Sequence, residues 1–283
     1  MVSETGMIRG NYKALIADID GTLTKKGENV LPRTREALIR LHEAGLEIGL
    51  ATGRPLDHRI TDRADAWNLG FDFEVLIGMN GGELWDVHTG RIEREHMLEE
   101  ATLREILSFM MDADVNAIIF AEGYDLVKAT RSDPQLKDSI ARNHSRVEFV
   151  TPEALCSAPA CKLEFHYRSE IEEEILSIVE AHPDPRWRAV RTFPGTIEFM
   201  DPRVDKGNAL KRYCMHKGIS PQEVIACGDM ENDIRMMEEA GLGICLANGS
   251  EAAKKAADAV TDFPVAEDGL GRFLLKRFFD EPE

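Results

Sequence analysis

The sequence predicts an α/β protein, a doubly wound parallel sheet with a smaller α+β unit inserted into it. Three observations predict this. Near-continuous apolar runs alternate with amphipathic helical segments from residue 14 to 79, the pattern of strands covered on both faces of a parallel sheet. The same alternation returns after residue 203. Between about 83 and 194 it gives way to a hairpin, helices and strands of α+β character.

The elements follow in order. "ALIAD" is the first strand. "PRTREALIRLHEAG" places Ala37, Leu38, Leu41 and Ala44 on one helical face, with Pro32 early and Gly45 at the stop. "LEIGLATG" is a second strand ended by turn residues, followed by a polar helix from about Pro55, and "FEVLIGMN" is a third strand. "GELWDVHTGRIERE" reads as a hairpin turning at His88-Thr89-Gly90. The insert continues with the helix "LEEATLREILSFMMDAD" and the strands "NAIIFAE", "YDLVKAT" and "CKLEFHY". The helix "SEIEEEILSIVEAH" and the strands "WRAVRTF" and "TIEFMD" complete it. Past residue 203 come a helix from Lys206, strand "VIACGD", helix "ENDIRMMEEAG" and strand "GICLA". Helix "SEAAKKAADA", strand "VTDF" and a last helix from Asp268 close the pattern. The expected domains are 1–82 with 195–283, and 83–194, with hinges near Gly81-Gly82 and Pro194-Gly195.

Composition narrows the function. A chain of 283 residues with 43% hydrophobic and 30% charged side chains is long and apolar enough for a globular core. Its formal net charge of -17 repels phosphate backbones, and no basic run offsets it, so nucleic-acid binding is not expected. No segment approaches the roughly 18 apolar residues of a membrane helix. The N-terminal "MVSETGMIRGNYK" lacks an apolar signal core. Cys156, Cys161, Cys214, Cys227 and Cys245 form no CxxC pair, so buried free thiols in a reducing cytoplasm are expected.

The charged residues worth attention stand at strand ends, where open α/β sheets bind ligands. The first strand ends in Asp18-Ile19-Asp20-Gly21-Thr22 and the second in Thr52-Gly53-Arg54. A later strand ends in Gly228-Asp229, with Asn232 and Asp233 opening the next helix, and Lys206-Gly207 opens the helix after the insert. If the chain stays extended, Asp18 and Asp20 leave the same side of the strand. Convergence with Asp229 and Asp233 would cost about 4 kcal/mol per pair at about 4 Å and an effective dielectric of about 20. A bound cation or shared protons must relieve it. All-oxygen ligands suit Mg²⁺, and a lysine and a threonine hydroxyl beside it suit phosphate oxygens. Together they spell phosphoryl transfer to a carboxylate.

These residues resemble the motifs of the haloacid dehalogenase-like phosphatases: "ADIDGTL", "LATGR", "DKGNAL" and "CGDMENDIRMM". "MNGGEL", "TIEFMDPRVDKGNAL", "AGLGICLANGSEAAKKAADAVT" and "EDGL" are similar to the Cof-type subfamily, subclass IIB, whose C2-type cap lies between the second and third motifs. The resemblance implies a Rossmann-like core with a cap, and a Mg²⁺-dependent phosphatase acting on a small phosphate monoester, a sugar phosphate or similar. It implies Asp18 as nucleophile forming an aspartyl-phosphate, and Asp20 as general acid and then base. Mg²⁺ would be held by Asp18, the backbone carbonyl of Asp20, and Asp229, supported by Asn232 and Asp233. Thr52, Gly53 and Lys206 would hold the phosphoryl oxygens. Thr24, "ANGS" and "NGG" depart from the family's commoner residues, so no role is carried over to Asn248.

The rival readings are a phosphomutase of the phosphomannomutase type, a receiver-like phospho-acceptor, and a non-catalytic phospho-ligand binder. A receiver keeps its acidic residues within one short domain, whereas Asp18 and Asp229 here stand on either side of an insert. The complete motif set argues against a mere binder. Within the insert, Arg131, Lys162 and Arg191 are the candidate cations for substrate contact. The expected partner is the phosphorylated small-molecule substrate alone, met by a cytoplasmic monomer or homodimer.

Overall fold

The structure is a computed structural model describing residues 10–25, 28–87 and 89–280. The reading of the N-terminus as lacking a signal core falls mostly on residues outside that set, as does His88 of the expected turn.

Two compact units divide the chain, one of Met1–Glu93 and Asp205–Glu283, the other of Arg94–Val204. The first begins with β1 (Ala14–Asp18), α1 (Pro32–Glu43), β2 (Glu47–Ala51), α2 (His58–Thr61), α3 (Arg63–Ala66), β3 (Val75–Gly78), β4 (Glu83–Asp86) and β5 (Arg91–Arg94). The second holds α4 (Glu100–Met110), β6 (Asn116–Tyr124), β7 (Leu126–Ala129), α5 (Pro134–Asn143) and β8 (Arg146–Phe149). It continues with α6 (Pro152–Leu155), β9 (Leu163–His166), α7 (Glu172–Ala181), β10 (Arg188–Phe193) and β11 (Thr196–Met200). The chain then returns to the first unit with α8 (Lys206–Lys217), β12 (Val224–Gly228), α9 (Ile234–Glu239) and β13 (Leu242–Cys245). α10 (Glu251–Ala256), β14 (Ala259–Val260) and α11 (Gly269–Phe279) end it.

The first unit is built on an eight-stranded sheet of order β14-β13-β12-β1-β2-β3-β4-β5. The strands from β14 to β3 run parallel. Alternate residues of β1 feed opposite faces, as the two-residue period requires. Leu15 and Ala17 join one apolar cluster with Leu38 and Leu41 of α1 and Leu274 of α11. Ala14 and Ile16 join another with Leu210 and Tyr213 of α8 and Met236 of α9. Both faces are covered, which is why the run reads as continuously apolar. β1 lies between β2 and β12, so the chain leaves it in one direction and comes back on its other side. That reversal opens a crevice at the carboxyl ends of β1 and β12.

The second unit has a six-stranded sheet of order β10-β11-β9-β6-β7-β8. Ile119, Leu163, Phe165, Ile197 and Phe199 pack with Leu103, Ile106 and Met110 of α4 and Ile175 of α7. Ile118, Val127 and Ala129 pack with Leu136 of α5.

Several particulars differ from the sequence expectation. The units divide at 93/94 and 204/205 rather than at 82/83 and 194/195. β4 stays with the first sheet because it pairs antiparallel with β3 from Val75↔Asp86 to Gly78↔Glu83. β11 belongs to the second sheet because it pairs with β9 and β10. Gly195 therefore marks a hairpin turn and not a hinge, with φ of 76° and its carbonyl accepting from the Tyr167 amide at 2.9 Å. The helix expected from Pro55 is two short ones, α2 and α3, which bury only Ile60 and Ala64. α5 and β8 fall where no element was expected. The five cysteines are free and buried. No helix of the described residues is long and apolar enough to cross a membrane.

Candidate active site

Lys206 organises the crevice. Asp205 caps the N-terminus of α8, accepting from the Asn208 amide at 2.7 Å, and so places Lys206 in the first turn. The lysine is fully buried. Its Nζ donates to Oδ1 of Asp18 and to Oδ1 of Asp233, each at 2.6 Å. The other Asp233 oxygen accepts from the backbone amides of Asp229 and Met230 at 3.0 Å. The Thr22 hydroxyl donates to Oδ1 of Asp229 at 2.8 Å. Gly21 has φ of 102°, and a Cβ there would stand 2.3 Å from Oδ2 of Asp229. That close approach is open only to glycine.

Asp18, Asp229 and Asp233 are buried and offer carboxylate oxygens all within 4.8 Å of one another. Burial pushes Asp18 up to about 8; Lys206 opposes this, while Asp233 and Asp229 add to it. Burial also pushes Asp229 up to about 6, against the Thr22 hydrogen bond and with the Asp233 charge. Burial alone would lower Lys206, but Asp18 and Asp233 outweigh it and hold it above its ordinary value. Three carboxylates around one ammonium leave a deficit of positive charge in a dry site. An all-oxygen donor set with that deficit could hold a hard divalent cation among Asp18, Asp229 and Asp233.

The Asp20 carboxylate stands apart from this cluster. It is paired with Arg54, whose Nε and Nη2 donate to its two oxygens at 2.9 and 2.7 Å. Strand β1 ends at Asp18, so the two-residue alternation that would align the pair does not extend to Asp20. Thr52 is buried just past β2, its hydroxyl accepting from the Arg54 amide at 3.2 Å. Gly53 follows it, against the Asn80 side chain. Asn232 donates from Nδ2 to Oδ1 of Asn80 at 3.0 Å. Asn248, given no role from the sequence, donates to the Gly21 carbonyl at 2.8 Å and accepts from the Val265 amide at 2.7 Å.

The three cations of the second unit expected to face substrate are all ion-paired. Arg131 meets Asp114 at 2.6 Å, and Arg191 meets Glu172 at 3.1 Å. Lys162, expected as a cation facing substrate, is buried between Glu198 at 2.7 Å and Glu164 at 3.3 Å. Its charge is matched inside its own sheet. The sequence places Thr22 and Arg54 at strand ends and Asn80 in a quoted motif but assigns none of them a role, because their partners are distant in the chain.

The haloacid dehalogenase-like hydrolase family matches residues 15–274. A Bacillus subtilis 5-amino-6-(5-phospho-D-ribitylamino)uracil phosphatase is 26% identical, over 93% of this chain and 95% of its own. A chloroplastic endoribonuclease YBEY of Arabidopsis thaliana is 28% identical over 90% of this chain, which spans only 44% of that protein. Among solved structures, a haloacid dehalogenase-like hydrolase from Bacteroides thetaiotaomicron has a TM-score of 0.81 at 25% identity, covering 94% of this chain and 99% of its own. A subclass IIB sugar phosphatase has a TM-score of 0.75 at 25% identity, covering 92% and 96%.

Proposed function

The chain belongs to the haloacid dehalogenase-like hydrolase family, among its Cof-type phosphatases, and from that premise we propose that it hydrolyses a small phosphate monoester through an aspartyl-phosphate on Asp18. The observation that carries this reading is the Lys206 ammonium held between Asp18 and Asp233 at the carboxyl end of β1. In the first step an Asp18 oxygen attacks phosphorus and the ester P–O bond breaks, with Asp20 giving its proton to the departing oxygen. In the second, Asp20 takes a proton from water, the water oxygen attacks phosphorus, and the bond to Asp18 breaks. Inorganic phosphate leaves with both aspartates restored. Lys206 favours the ionised Asp18 against the effect of burial. To act as the acid, Asp20 must part from Arg54, whose guanidinium donates to both of its oxygens, while Thr52, Gly53 and Lys206 hold the equatorial oxygens as charge spreads over them. Mg²⁺, held by Asp18, Asp229 and the Asp20 carbonyl, would supply further neutralisation of the transferring group.

For substrate, the sugar phosphatase among the similar structures and the ribitylaminouracil phosphatase among the relatives support a phosphorylated polyol or sugar. Arg131 and Arg191 keep about half of their side-chain surface and are the cations to test for substrate preference. Lys162 is not retained. The cytoplasmic setting belongs to the same proposal, since the five thiols are free.

Phosphate release from a panel of sugar and small-molecule phosphates, with Mg²⁺ and with chelator, tests the reading. Asp18→Asn is expected to fold and to lose turnover by about a thousandfold or more. Turnover that persists in that variant or in chelator would reject the nucleophile or the metal; sugar-phosphate isomerisation without release would indicate a mutase.

A further inference from the structure

The turn Met79–Gly82 leaves β3 with an unusual backbone. Met79, Asn80 and Gly81 have φ of 50°, 55° and 108°. Among the described residues, Met79 and Asn80 are the one adjacent pair of non-glycine residues at positive φ. A buried methionine in that region is a costly conformer, kept only where surrounding contacts impose it. Those contacts reach three parts of the site. The Met79 amide donates to the Arg54 carbonyl at 2.9 Å and the Asn80 amide to the Thr52 carbonyl at 3.0 Å. The Asn80 carboxamide lies against Gly53, where a Cβ would meet its Oδ1 at 3.1 Å and its Nδ2 at 3.3 Å. Its Oδ1 accepts from Asn232, next to Asp233. Gly81 is pressed on Asp205, so that a Cβ would stand 2.2 Å from the Asp205 carbonyl oxygen, one residue before Lys206.

We propose that Asn80 is a positioning residue for phosphoryl transfer: its side chain sets the spacing between the Thr52–Gly53 turn and the Asn232–Asp233 turn. The inference rests on the phosphatase reading. Asn80 acts through Gly53 and Asn232, so its loss loosens the grip on the transferring group without removing a reacting atom.

Asn80→Gly is the decisive variant because glycine accepts positive φ without strain. It deletes the carboxamide while relieving the backbone. The expected result is a Tm at or above wild type, kcat on the best ester lower by about tenfold or more, and a KM changed by less than about threefold. Affinity for orthovanadate, by calorimetry, should fall with kcat. Asn80→Asp keeps the oxygen that Asn232 reaches and tolerates the same backbone, but adds a negative charge beside the phosphoryl oxygens. It should lose both kcat and vanadate affinity with Tm little changed. Wild-type kcat and vanadate affinity in Asn80→Gly, with wild type active and Asp18→Asn inactive, overturns the role of Asn80 alone. A wild type that neither releases phosphate nor binds vanadate overturns the phosphatase reading and this inference together.

Discussion

Lys162 and Lys206 are each buried between two carboxylates, yet their neighbourhoods make them different residues. Around Lys206 a third carboxylate, Asp229, leaves the site short of positive charge. Around Lys162 the balance is closed internally. Glu198 is raised, chiefly by burial and against the Lys162 charge, with Glu164 adding to the rise. Glu164 is held down at about 2, against burial, by Lys162 and by hydrogen bonds from His166 and Glu198. Lys162 reaches both carboxyls, and Glu164 is met by His166 as well. Removing Lys162 therefore strips a buried anion of its partner. Lys162→Met should destabilise the second unit by about 3–5 kcal/mol, measured by urea unfolding. Glu198→Gln, which keeps an oxygen for the Lys162 hydrogen bond and leaves Glu164 as countercharge, should cost less than Lys162→Met. Equal losses in the two variants would mean that Lys162 depends on the Glu198 carboxylate and that Glu164 does not suffice as its partner. In sequence Lys162 reads as a candidate cation for substrate contact because its nearer partner, Glu198, lies on another strand. The core site was easier to read, since Asp18, Thr52, Lys206 and Asp229 each stand at a strand end or helix start. What the motifs could not show was the Asp20 pairing with Arg54 or the hub at Asn80, both made by side chains meeting across loops.

Among the elements, α1 and α11 share an apolar cluster and also a polar clasp centred on one residue. Asp268, at φ of 62°, accepts from the amides of Arg33 and Thr34 at 2.7 and 2.8 Å and from the Thr34 hydroxyl. The same hydroxyl accepts from the Gly271 amide at 3.0 Å. A carboxylate from outside α1 thus meets the free amides at its N-terminus, where Leu31 offers no side-chain cap. Asp268→Ala should lower stability by about 2 kcal/mol in urea unfolding, while Asp268→Asn, which can keep the acceptors, should lose less. Identical stability of Asp268→Ala and wild type would leave the clasp without energetic weight. α1 itself was legible, because Pro32, Gly45 and the stripe Ala37, Leu38 and Leu41 are local signals. Asp268 was readable only as the start of a last helix, since its partners are more than two hundred residues away. α5 shows the opposite case. Its Asp133-Pro134 start is a cap and first-turn proline, but it buries one residue, Leu136, and so has almost no apolar stripe to detect. The division between units is not legible in the sequence for a related reason: β4 and β11 have ordinary strand patterns, and only their pairing partners decide which sheet takes them.

For the whole molecule, two units with separate cores also carry separate charge centres, and pH should act on each through its own groups. In the second unit His166 meets a carboxylate at each ring nitrogen, Asp133 at 3.1 Å on Nδ1 and Glu164 at 2.9 Å on Nε2. A neutral imidazole has one N–H to donate, so both contacts are satisfied only by the imidazolium. Burial would lower the histidine, but the hydrogen bonds and charges of Asp133 and Glu164 overcome it and raise it from 6.5 to about 9. A group raised on folding contributes stability that is fully present below pH 6.5 and is lost as pH rises through about 9. The shift corresponds to about 3 kcal/mol. Asp18 in the first unit is raised as well and would lose stability over an overlapping range when no metal is bound, so the second unit must be watched alone. Trp187 lies in its core, whereas Trp67 belongs to the core of the first unit and Trp85 packs against that core. In a Trp67→Phe/Trp85→Phe background, urea unfolding followed by Trp187 fluorescence should weaken steadily from pH 6.5 to 9. In His166→Gln it should be weaker at pH 6.5 but nearly flat across the same range. Equal slopes in the two proteins would show that His166 is not held as a cation and that the pH dependence of the second unit arises elsewhere.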